Sequence, residues 1–75
     1  MAREVLAHIT GTVWKIEASP GSKVAPGDPV VVIESMKMEL PVEAPCVGTV
    51  TEVRVKEGQS VQEGDVLALL EEGHR

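Results

Sequence analysis

The chain reads as an all-β domain: a flattened eight-stranded barrel or sandwich of two four-stranded sheets related by a pseudo-twofold. Three observations predict this fold. The sequence repeats itself at an offset of 37 residues, its apolar residues alternate over short runs, and turn signals punctuate those runs at matching places. No segment carries the 3.6-residue period of an amphipathic helix.

The repeat is ungapped. "GTVWKIEASPGSKVAPGDPVVVIE" (11–34) lies over "GTVTEVRVKEGQSVQEGDVLALLE" (48–71), with eight of 24 positions identical, including Gly11/Gly48, Gly27/Gly64 and Asp28/Asp65. Chance at ordinary composition gives about one or two identities. Solenoids need three or more units to bury a continuous core, so two copies point to a closed body of two similar halves.

In chain order, "MAREVLAHI" (1–9) moves directly into alternating residues. Trp14, Ile16 and Ala18 then alternate with Lys15 and Glu17, and Thr51, Val53 and Val55 alternate with Glu52, Arg54 and Lys56. This is the period of a strand with one buried face. Pro20-Gly21 and Glu57-Gly58 supply the next turns, followed by Gly27-Asp28 and Gly64-Asp65. The short apolar runs "PVVVIE" and "VLALLE" that follow fit strands packed in a sandwich. The five prolines fall near run ends or in loops, where a missing N–H does least damage. Trp14, Ile16, Val32, Val53, Leu67 and Leu69 are the expected core contributors.

Seventy-five residues make a single domain, 1–75 with its core at about 4–71, too small to enclose a large active site. Twelve acidic against seven basic residues give a net charge of −5, and Trp14 is the only aromatic. Such a chain lacks the basic face and stacking platforms of nucleic-acid binders, and acidic membrane surfaces repel it. Cys46 is the only cysteine, so no internal disulfide or thiolate metal cluster can form, which suits a reducing compartment. Aliphatic stretches such as Val30 to Ile33 are far short of a membrane span or signal-peptide core. The expectation is a complete, soluble, cytoplasmic chain.

The candidate functional stretch is "IESMKMEL" (33–40), at the join of the two halves. In isolation Lys37 would read as a solvated surface lysine. Here it lies between two methionines that a soluble turn should avoid, in a stretch with no Asn, Asp or Gly to supply positive φ. A turn built from Met36 and Lys37 carries backbone strain, and strain at an exposed turn points to function. Met36 and Met38 could instead share a buried strand face, but a turn position argues against burying both. Shifted by one repeat, Lys37 falls opposite His74 at the chain's end. Other chemistry is poorly supplied. His8 reads as a strand-edge residue, His74 lies in a terminal tail, and no Ser/His/Asp or Cys/His constellation is evident. Glu34 and Glu39 read as solvated carboxylates flanking the turn. Cys46 pairs with Ile9 in the extended repeat and reads as a small apolar residue. The repeated "GTV" and "GD" glycines read as turn and bulge elements, with no P-loop or dinucleotide fingerprint.

"ESMKME", followed by "LPVEAPCVGTVTEVRVKEGQSVQEGDVLALLE", resembles the biotinyl domain of biotin carboxyl carrier proteins, within the biotin/lipoyl attachment family. The resemblance covers about residues 4 to 71. The family motif is Ala-Met-Lys-Met; Ser35 replaces the alanine, while Met36, Lys37 and Met38 match. Such domains are flattened barrels with the lysine in a tight hairpin turn. The resemblance implies covalent biotin on Lys37, recognition through the flanking Met36 and Met38, and a non-catalytic carrier. It also implies three partners: a biotin protein ligase, a biotin carboxylase that carboxylates biotin, and a carboxyltransferase that moves the carboxyl group to an acceptor such as an acyl-CoA. Attachment turns the Lys37 ammonium into an amide, taking the net charge from −5 to −6. Lipoyl domains share the fold but usually place Asp before the lysine and Ala after it, so methionine on both sides favours biotin over lipoate. The ungapped "EASPGSKVAPG" leaves no room for the inserted thumb of some carriers, and a Pro/Ala-rich linker is missing, as in a free-standing minimal form. A lipoyl carrier of a 2-oxoacid dehydrogenase-type system and an unmodified interaction module are the alternatives.

Overall fold

The computed structural model describes residues 2–73; His74, the repeat mate of Lys37, lies outside them. Each apolar run becomes a strand that stops at the turn residues. In order these are β1 (Ala2–Leu6), β2 (Gly11–Ile16), β3 (Lys23–Val24), β4 (Pro29–Ser35), β5 (Met38–Glu43), β6 (Gly48–Val53), β7 (Ser60–Val61) and β8 (Val66–Glu72). They form two antiparallel four-stranded sheets, β1-β8-β6-β3 and β5-β4-β2-β7. Advancing by 37 residues carries β2 onto β6, β3 onto β7, β4 onto β8 and β1 onto β5, and so converts one sheet order into the other.

The hydrogen bonds repeat with the sequence. The Ala7 N–H donates to Asp65 O at 2.9 Å and the Ala44 N–H to Asp28 O at 2.9 Å. Gly27 and Gly64 turn the chain with φ of +94° and +93°, and the aspartate after each accepts a backbone N–H through Oδ2, from Ala25 at 2.9 Å and Gln62 at 2.8 Å. Each is a four-residue turn closed by its own backbone, the Asp28 N–H donating to Ala25 O at 3.0 Å and the Asp65 N–H to Gln62 O at 2.9 Å, with glycine at the third position, where φ is positive.

Between the sheets lies one aliphatic cluster, with Val13, Val30, Val31 and Ile33 from one half and Val50, Leu67, Ala68 and Leu70 from the other. Isoleucine and leucine side chains of this kind each gain about 1.5–3 kcal/mol from full burial.

The strand faces differ from simple alternation, and the cause is the same in both halves. In β2 the pairing steps from Val13↔Ile33 to Lys15↔Val32, leaving Trp14 as the extra residue of a bulge. In β6 it steps from Val50↔Leu70 to Glu52↔Leu69, leaving Thr51 extra. A bulge inserts one residue and resets the period-2 phase. Val13 and Val50 therefore point inward, while Trp14 is 47 % exposed and is not a core residue. Ile16 and Val53, beyond the bulges, are only half-buried but do pack against the cluster. A second matched pair of irregularities, at Val30 in the β4–β5 pairing and at Leu67 in the β1–β8 pairing, reverses the phase of the apolar runs. Leu67 is fully buried as expected. Leu69 is half-buried, by register opposite Glu4 and Glu52, and Val32, though buried, stands outside the central cluster opposite Lys15 and Pro41. Val31, Ile33, Ala68 and Leu70 take the inward places.

Gly11 and Gly48 are not turn residues either. They open β2 and β6, and a Cβ at Gly11 would run into the Glu34 carbonyl oxygen and the Ile33 side chain. At Gly48 the obstacle is the Glu71 carbonyl oxygen. The repeated "GTV" thus marks a close approach of two backbones, which only a residue without a side chain allows.

Candidate functional site

β4 and β5 form a hairpin whose register runs from Val31↔Val42 through Ile33↔Leu40 and Glu34↔Glu39 to Ser35↔Met38. Two residues remain to make the loop, Met36 and Lys37. Their φ values are +54° and +64°. A two-residue loop with both central residues at positive φ is the type I′ turn, which matches the twist of the flanking strands and normally takes Asn-Gly. Side chains with a Cβ lose about 1–2 kcal/mol per residue in this left-handed region. The strain expected from the sequence is therefore present, at both positions.

The body of the domain holds the turn in that shape. Ile33, fully buried, anchors the outgoing strand, and Val42 at 4 % exposure anchors the returning one. Beneath β4, Gly11 lets β2 close directly onto the Glu34 backbone. Because register fixes which residues are left for the loop, a one-residue slip would turn Ile33 and Val42 outward. The turn's shape follows from the core rather than from its own residues.

At the tip, Met36 is 91 % exposed, Met38 is 60 % exposed, and Lys37 between them is also exposed. Neither methionine belongs to the core. One step back along the hairpin, Glu34 and Glu39 face each other across the strands, both exposed. Like charges directly opposite disfavour pairing slightly, so this hairpin end gives up stability at two successive levels. The result is a primary amine on a long flexible stem, held away from the body with two thioethers beside it and no enclosing wall. Such an amine can be acylated by an enzyme that reaches over the turn.

The other candidates lie elsewhere. His8 is exposed, its Nε2 3.3 Å from the Pro41 carbonyl oxygen, beside a shallow groove of about 410 Å³ lined by Glu4, Leu6, Pro41 and Glu43. That groove does not include the turn residues. Cys46 is half-buried and packs against the core with its repeat mate Ile9. Among the described residues no group of three or more His, Cys, Asp or Glu could hold a metal ion, and no helix is long and apolar enough to cross a membrane. The sequence reading missed Gly11, which sets the floor under the hairpin; its only signal was that the glycine recurs at the same place in both halves.

The fold and the site together define a twofold β-body that carries one strained, exposed lysine hairpin. Comparison with known proteins places the chain in a family. The family described as "Biotin-requiring enzyme", the biotin/lipoyl family, matches residues 4–70, and the chain belongs to it. The biotin/lipoyl attachment protein of Bacillus subtilis (strain 168) is 44 % identical over 63 residues, covering 84 % of this chain and 86 % of that protein. A pyruvate carboxylase of the same organism is 45 % identical over 67 residues, but these make up 89 % of this chain and only 6 % of the carboxylase. The crystal structure of the Kluyveromyces lactis urea carboxylase superposes with a TM-score of 0.88 at 37 % identity, over 93 % of this chain and 6 % of that one. The chain thus matches nearly the whole of a small attachment protein and a small fraction of the large carboxylases.

Proposed function

We propose that this protein is a biotin carrier, with biotin held in amide linkage to Lys37 Nζ, and that it serves a biotin-dependent carboxylase system without catalysing a reaction of its own. The observation that carries this reading is the Met36-Lys37 turn: two side chains held in a left-handed conformation that suits neither, at an exposed hairpin tip of a body that otherwise obeys its turn rules. The relatives support the cofactor and the setting, being attachment proteins at full length and carboxylases in part.

The residues fit the cofactor's attachment. An exposed lysine on a fixed turn lets a biotin protein ligase close over it: the deprotonated Nζ would attack a carboxyl carbon activated with ATP as an acyl adenylate, the bond to AMP would break, and the former ammonium would have lost two protons and its charge. Lys37 would hold the biotin, which when bound would supply a carboxyl-accepting group to be loaded at a biotin carboxylase and unloaded at a carboxyltransferase. The chain's part is mechanical. The Lys37 stem lengthens the tether, the type I′ turn fixes its root, and the rigid body keeps the arm at high local concentration between the two partner sites. Met36 and Met38 offer each partner an adaptable apolar surface on either side of the root.

Intact-mass measurement after incubation with a biotin ligase, ATP and biotin tests the reading. A single biotin adduct is expected on the parent and none on Lys37→Arg, with both melting alike. A lipoyl adduct under a lipoate ligase in place of the biotin adduct would make this a lipoyl carrier. No adduct under either ligase would leave an interaction module.

A further inference from the structure

We propose that Met36 and Met38 form a reversible oxidation site that controls whether Lys37 can be modified. The inference rests on the attachment reading above and adds regulation of the same site. Among the described residues these are the only two methionines, and they are the immediate neighbours of Lys37. Their exposures of 91 % and 60 % leave both thioethers open to solvent. Methionine in a core is shielded from oxidants and changes the fold when oxidised; at this tip neither holds. Oxidation here leaves the body intact and alters only the surface that a ligase must cover.

A hydroperoxide is the oxidant. A sulfur lone pair attacks the distal peroxide oxygen, the O–O bond breaks, an S=O bond forms, and the remaining oxygen leaves as water or an alcohol after taking up the transferred oxygen's proton. The sulfur loses two electrons and the peroxide gains them. The product is a polar, chiral sulfoxide in place of a flexible apolar side chain. A ligase surface that takes up the thioether must now desolvate a strong hydrogen-bond acceptor. Methionine sulfoxide reductases reverse the step: two thiols supply two electrons, the oxygen leaves as water, and a disulfide forms. Met36, the more exposed of the two, oxidises first.

The test treats the unbiotinylated protein with hydrogen peroxide, removes the peroxide with catalase, maps the sulfoxides by peptide mass and then measures the rate of biotin addition by a ligase that has met no oxidant. Biotin addition to the oxidised parent is expected to fall about tenfold or more, with an unchanged melting curve, and to recover after sulfoxide reductase treatment. The Met36→Leu/Met38→Leu double variant keeps Cys46, and its rate should be the same with and without peroxide. The proposal is overturned if the oxidised parent is biotinylated as fast as the untreated one, if the double variant is inhibited equally, or if oxidation lowers the melting temperature. An untreated parent that takes up no biotin would remove the attachment reading and this proposal together; equal uptake before and after oxidation would remove the proposal alone.

Discussion

Two kinds of turn coexist in this molecule, and their residues obey opposite rules. At Gly27-Asp28 and Gly64-Asp65 the chain reverses with glycine at φ near +90° and an aspartate that caps a backbone N–H through its own carboxylate. At Met36-Lys37 it reverses with two side chains in the left-handed region and no side-chain cap among the hydrogen bonds of the described residues. The glycine-aspartate turns help to make the fold. The lysine turn is made by the fold, and under the proposed function its residues serve for what they present. Where local preference and observed conformation disagree while the surrounding register is sound, the disagreement points to a candidate functional position.

Substitutions in the body should show the largest stability effects. Ile33→Ala and Leu70→Ala truncate repeat mates, both fully buried, and each should cost about 2–5 kcal/mol in a urea melt. The costs should be similar, since the two residues occupy equivalent inward sites. A loss confined to Ile33→Ala would show that the hairpin, not the body, dominates stability. Next come the turns themselves, where opposite signs are expected. Gly27→Ala places a Cβ at φ +94° and should destabilise by about 1–2 kcal/mol, whereas Met36→Asn relieves left-handed strain and should stabilise by about 0.5–1 kcal/mol. Equal and negative effects at both positions would erase the distinction between the two kinds of turn. The smallest change in stability is expected at the tip. Met36→Ala and Met38→Ala should each shift stability by about 0.5 kcal/mol or less, as exposed sites do, while biotin addition to Lys37 slows. A double alanine variant that melts early yet is modified normally would make the methionines packing residues.

Much of this contrast was legible in the sequence. The 37-residue repeat gave the twofold body, and the absence of Gly, Asn or Asp between Ile33 and Leu40 gave a strained turn centred on Lys37. The strand faces were less legible. Counting by twos put Trp14 and Leu69 inside, because a bulge inserts a residue without any compositional mark of its own. Trp14 is the instructive case: a large apolar side chain is good evidence for a core, yet the bulge gives the inward place to the smaller Val13 beside it. The role of Gly11 was hidden for a different reason. A glycine needed for positive φ sits among turn residues and shows itself, whereas one needed for the approach of a distant strand is visible only when Glu34 is seen lying against it.

The interleaving of the two sheets has a consequence for when the lysine becomes available. β2 borrows β7 as its outer neighbour and β6 borrows β3, so neither half completes a sheet alone, and β1 pairs with β8 across almost the entire chain, Ala2 opposite Glu71. Chains dominated by such distant pairings fold on a scale of milliseconds to seconds, because their loops must close before the contacts stabilise them. The Met36-Lys37 turn has no preference of its own for the shape it takes, so it does not form ahead of that closure as an Asn-Gly hairpin would. Its geometry is held by the hairpin register that the docked body secures through Ile33 and Val42. An enzyme that recognises this turn therefore inspects the whole domain through two residues, and a nascent or damaged chain offers it nothing but an ordinary lysine.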